Sequence, residues 1–154
     1  MRADPGGGVR VRIEGDEAEL LRQLLAELQM LLEADAPRED PVVSRIFPDA
    51  FEEEEDQRAY REMVDEDLRN QKLDATRTVR DTLAGATLSD DQIDAWLVTL
   101  TDMRLAIGTR LGVDEERMAA ELDPDDPSTA SMAVLHWLGF LQESIVQAAS
   151  DQEG

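Results

Sequence analysis

The 154-residue chain contains no cysteine. Disulfides, thiolate zinc sites and thiol redox sensing by the chain itself are therefore excluded, and the absence suits a reducing cytosol. Histidine occurs once, as His136, so serine triads and di-iron bundles built on paired Glu-x-x-His motifs are ruled out. Lysine also occurs once, Lys72 against fourteen arginines, and asparagine once, Asn70. That bias reflects GC-rich codon usage rather than mechanism. Aromatic residues make up 4%. No stretch approaches the ~20 apolar residues of a membrane span, and the start, MRADPGGGVRVRIEG, lacks the apolar core of a signal peptide. The expected location is cytoplasmic.

Basic residues are scarce as well. Thirty-six acidic residues face fifteen basic ones, a net charge of −21. Such a surface repels the phosphates of nucleic acid and anionic membranes, so neither is an expected direct partner. It favours basic protein partners and accelerates their capture.

What is present points to a mainly α fold. Hydrophobic residues account for 42%, and a chain this long buries roughly 70% of its unfolded surface, enough for one self-sufficient domain. The expected layout is a flexible tail over 1–8, a single helical domain over 9–149 and a frayed end over 150–154. Val9, Val11 and Ile13 alternate with Arg10 and Arg12, the period of a half-buried strand. A helix over about 17–33 places seven leucines (20, 21, 24, 25, 28, 31 and 32) on one broad face. A short helix over 42–47 follows Asp40-Pro41. A longer one over about 55–84, broken or bent near 64–66, carries Leu68, Ala75, Val79 and Leu83 on one side and ends at Gly85. Residues 86–88 are extended and pair with 9–13 in a minor two-stranded element. Ser89 and Gln92 form a capping box for a helix ending near Gly112. A short helix over 114–122 precedes a final one over about 127–149, apolar nearly all round and so expected at the centre of the bundle. The total is five to six helices.

The ionisable groups offer few sites. Asp102 and Arg104 lie in the most apolar helix segment and Glu143 in the last helix. Groups so placed pair with one another more often than they catalyse, so Arg104 with Asp102 or Glu143 is expected as a structural ion pair. An enzyme using Asp102, Glu143 or His136 is the alternative. His136 with Glu143, seven positions on, makes a poor metal site beside the simpler reading of a packed or surface histidine. Asp123-Pro124-Asp125-Asp126 lacks the glycine and distal glutamate of a calcium loop and reads as a helix cap. Arg69, Lys72, Arg77 and Arg80 share one side of their helix and form a candidate partner-binding stripe; the simpler reading is surface pairs such as Asp65–Arg69 and Arg77–Asp81. Gly108 and Gly139 are expected where two helices cross. A winged-helix DNA binder is disfavoured because the helix after Ser89 carries only Arg104 and Arg110. Gly6-Gly7-Gly8 precedes a strand, so it is not a phosphate loop. No catalytic, cofactor or metal residue is assigned.

Three blocks carry a family resemblance: 44–50 (SRIFPDA), 96–113 (WLVTLTDMRLAIGTRLGV) and 136–146 (HWLGFLQESIV). In this order, after a strand-like start and a Leu-rich helix, they resemble the actinobacterial AosR-like family over about residues 9–149. The resemblance implies a cytosolic, non-enzymatic regulator of the aerobic and oxidative stress response. It implies action on transcription through a sigma factor, with cysteine oxidation as trigger, and this cysteine-free chain cannot supply that trigger. Neighbouring genes in the family also point to the Clp protease machinery as the alternative partner.

Overall fold

The alternation of buried and exposed residues at the start of the chain builds a small sheet on which four helices are assembled. The computed structural model describes residues 2–3, 8–33, 58–111 and 129–153. In chain order the elements are β1 (Arg2–Ala3), β2 (Val9–Val11), α1 (Gly15–Glu33), α2 (Arg58–Thr82), β3 (Ala86–Leu88), α3 (Asp90–Leu111) and α4 (Thr129–Glu153). Four helices are therefore present among the described residues, fewer than the five to six expected. The short helices expected over 42–47 and 114–122 lie outside the described residues, as do the carboxylates at 123–126 and the first family block.

The sheet is antiparallel with β2 at its centre. Val9 pairs with Leu88 and Val11 with Ala86, the pairing expected from sequence. Val9 and Val11 point inward and Arg10 outward. The strand is shorter than 9–13, and Ile13 instead donates its backbone N–H to the Leu83 carbonyl at 2.8 Å, tying the strand's exit to the end of α2. Arg2–Ala3, expected in a flexible tail, adds a third strand. Backbone pairing rather than side-chain pattern makes that strand, so hydropathy gave no sign of it. Gly8 is required where it stands. Its φ is +87°, and a Cβ there would lie 2.6 Å from the Leu88 carbonyl oxygen.

Each helix follows from its apolar spacing. In α1, Ala18, Leu21, Leu25, Leu28 and Leu32 are buried at alternating three- and four-residue steps, with Leu24 and Leu31 packed at the flank. The buried seam is narrower than the seven-leucine face suggests. α2 runs without the interruption expected near 64–66, because neither proline nor glycine occurs in it. α3 opens on the expected capping box: the Ser89 backbone N–H donates to Gln92 Oε1 at 2.9 Å, and the Gln92 N–H donates to Ser89 Oγ at 3.3 Å. α4 runs on to Glu153, past the fraying expected from 150.

α3 packs against α1, α2 and α4, while α4 lies at the edge, against α3 and strands β1 and β2. This reverses the central position expected for α4. Its apolar character continues around to solvent, where Ala133, His136 and Phe140 are exposed. Gly139 does sit at the α3–α4 contact, against the Arg104 guanidinium, but Gly108 faces open space. Gly108 therefore has no packing role at a helix crossing.

Trp96 anchors the core. It is fully buried, and its indole N–H donates to Thr82 Oγ1 at 2.8 Å. The Thr82 hydroxyl donates in turn to the Thr78 carbonyl at 2.7 Å. Thr82→Val keeps the shape and orphans a buried indole N–H, which costs about 2 kcal/mol. Thr82→Ser keeps the acceptor and loses about half that or less. Urea unfolding of both variants checks the difference.

Candidate functional site

Two ionisable groups meet inside the molecule. Lys72 of α2 and Asp102 of α3 form an ion pair in which Nζ donates to both carboxylate oxygens at 2.9 Å. Only 11% of the lysine side chain and 5% of the aspartate side chain are exposed. Helical spacing explains the placement: Lys72 falls four residues after Leu68 and three before Ala75, on the seam that α2 turns inward. Asp102 falls on the buried face of α3 beside Met103 and one turn from Thr99. Burial raises the Asp102 pKa above its ordinary value of 3.8, and the hydrogen bond and positive charge of Lys72 offset part of that rise.

This geometry corrects the expected pairing. Asp102 is in an ion pair, but with Lys72 rather than Arg104. Asp102 and Arg104 are two residues apart on one helix and point to different neighbours. Arg104 turns to α4, where Nη1 donates to Gln142 Oε1 at 2.8 Å, and Gln142 Nε2 donates to Thr101 Oγ1 at 2.7 Å. The α3–α4 contact is thus closed by an arginine–amide–hydroxyl chain instead of by Glu143. Glu143 and His136 are both exposed on the outer side of α4. Asp102 is buried in its pair while Glu143 and His136 face solvent, so the three are not brought together around one site.

The candidate basic stripe is dispersed as well. Lys72 is buried in its pair. Arg80 bonds across to Gln29 of α1. Arg77 pairs with Asp74 at 3.3 Å, one turn before it instead of after it, on a fully solvated face. Arg69 is half-buried and engaged within the fold. Lys72 is thus withdrawn from the stripe, while Arg77 and Arg80 stay exposed, each bonded to a neighbour.

A cleft of about 20 Å³ lies between α1 and α3, lined by Leu24, Leu28, Leu31, Met103, Ile107 and the flanking Glu27. That is room for one water. Among the described residues, no group of three or more His, Cys, Asp or Glu is placed to hold a metal ion. No helix among them is long and apolar enough to cross a membrane. Among the described residues the exposed large apolar side chains are Met30, Val98, Phe140 and Val146, and Phe140 is 67% exposed.

The buried pair makes stability depend on pH in a defined direction. The folded-state pKa of Asp102 is raised, so the folded protein holds this proton more tightly than the unfolded chain. The contribution is fully present below 3.8 and is lost as pH rises through the raised value. Lys72→Met removes the compensating cation. The variant loses about 3–5 kcal/mol at neutral pH and regains part of it as pH falls toward 3.8. Lys72→Met combined with Asp102→Leu recovers most of the loss at all pH values. Denaturant unfolding across this range measures both.

Comparison with known proteins now places the chain. A Mycobacterium leprae (strain TN) protein named "Putative oxidative stress regulator AosR" is 30% identical to it, covering 71% of this chain. The chain spans 58% of the length of that relative. No solved structure matches it. Residues 1–149 match a family described as a domain of unknown function, DUF2017, and the chain belongs to that family.

Proposed function

We propose that this chain is a non-enzymatic regulatory domain that acts by binding a basic protein surface, in the control of an oxidative stress response. The observation that carries the reading is the charge of −21 on a member of a family with a relative named for oxidative stress regulation. The closed Lys72–Asp102 pair supports it, since the most deeply buried carboxylate among the described residues is committed to holding α2 against α3. The withdrawal of Lys72 from the basic stripe also supports it: direct contact with an operator needs several cationic side chains on one face, and a chain of −21 favours an effect on transcription that passes through protein.

The finer form of the proposal is that the partner is a sigma factor, a class of protein whose DNA-binding face is basic. An acidic domain competes for such a face by matching charge, which speeds encounter and makes affinity fall with salt. The oxidative signal is read by the partner or by a further protein, because this chain has no thiol to oxidise.

The test is a titration of the full chain against a purified sigma factor from the same genome, at low and high salt. Binding at about 50 mM salt that weakens at least tenfold by about 500 mM is expected. No binding at low salt, or binding indifferent to salt, overturns the reading.

A further inference from the structure

We infer that the outer face of α4 pairs two copies of this chain in a symmetric dimer. Up to Ser150 this helix carries one acidic residue, Glu143, with Asp151 and Glu153 following only in its last turn, and it has no lysine or arginine, in a chain where 33% of residues are charged. Its solvent side over 133–147 holds that one carboxylate and no other acidic residue. Ala133, His136, Phe140, Glu143 and Gln147 are exposed, and their three- and four-residue steps put them on one strip. Phe140 stands at the middle of the strip, 67% exposed, with half-buried Trp137 beside it. Depletion of charge around exposed aromatic side chains is the composition of an interface centre.

Charge identifies the occupant. Two chains of −21 repel each other over most of their surface, and a neutral strip is where they can approach. A basic partner gains attraction from the acidic surfaces and none from this strip.

The strip is also complementary to itself. Its two ionisable groups are of opposite type and flank Phe140, His136 about one turn before and Glu143 about one turn after. A twofold axis through the strip runs the two helices antiparallel. It sets the imidazole N–H of each copy beside the carboxylate of the other, twice over.

Sedimentation equilibrium of the full chain, from about 10 μM to about 1 mM and at low and high salt, tests the pairing. A dimer is expected whose association strengthens as salt screens the repulsion, the opposite trend from that expected for a basic partner. Phe140→Asp weakens association at least tenfold without lowering the unfolding midpoint, since the ring is largely in water. His136→Glu weakens it, and His136→Glu with Glu143→His, which restores opposite types at both positions, recovers it. A monomer at the highest concentration in either salt, an undiminished Phe140→Asp dimer, or a swap that fails to recover association overturns the inference. Loss of sigma-factor binding in Phe140→Asp without any self-association gives the face to that partner and overturns it too.

Discussion

The one lysine of the chain occupies a position where a leucine would pack. Lys72 lies on the buried seam of α2 and reaches a carboxylate on the buried seam of α3, and the helix that carries this carboxylate touches each of the other three described helices. If the α2–α3 register shifted by one turn, Nζ and the carboxylate would separate by about 5.4 Å along the axis. Each would then be a buried, unpaired charge. Apolar side chains tolerate such a slip far better. The pair adds little net stability compared with two well-packed leucines, because both ions must leave water. What it imposes is a single alignment of α2 on α3. The Arg104–Gln142–Thr101 chain on the opposite flank of α3 does the same for α4. The indole of Trp96, held by Thr82, closes the same α2–α3 contact near the sheet. Polar contacts therefore fix how the helices sit, while the leucine and valine seams supply the burial.

Much of this was legible in the residues. The β2–β3 pairing, the Ser89–Gln92 box and the inward positions of Leu21, Leu25, Val79 and Trp96 follow from local periodicity and capping chemistry, which act over a few residues. The Lys72–Asp102 pair joins positions thirty apart, and reading charges helix by helix missed it. A signal was nonetheless present. Leu68, Ala75 and Val79 define a seam in which Lys72 falls in step, and Asp102 falls in step with the buried Thr99 and Ala106. Two opposite charges on two apolar faces identify each other once both faces are drawn. The stripe reading failed at Lys72 for this reason: grouping it with the arginines by charge ignored the face it occupies.

The misplacement of α4 has a different origin. Apolar content all round a helix argues for burial on every side when the only alternative is exposure to water. α4 is buried on the side of α3 and the sheet, and its opposite face is merely poor in charge. Ala133, Ser144 and Gln147 are small or neutral rather than strongly apolar, and Phe140 is the large apolar side chain at the middle of that face. Sequence periodicity distinguishes polar from apolar poorly in such a strip. It registers more clearly as a gap in the distribution of acidic residues.

That gap bears on how a chain without a sensor of its own could serve a regulatory system. With no thiol to change state, its occupancy by the proposed partner would follow concentrations and the partner's own condition by mass action. A strongly negative exterior makes capture of a basic surface fast and reversible, since electrostatic steering acts mainly on the rate of encounter. Pairing through a neutral strip would leave those acidic surfaces free and present two of them at once. The second contact to a divalent partner would then form at high effective concentration. Neutrality of one face and acidity of the rest are on this view complementary requirements: the first lets like-charged copies meet, and the second keeps their outward surfaces available to a protein of opposite sign.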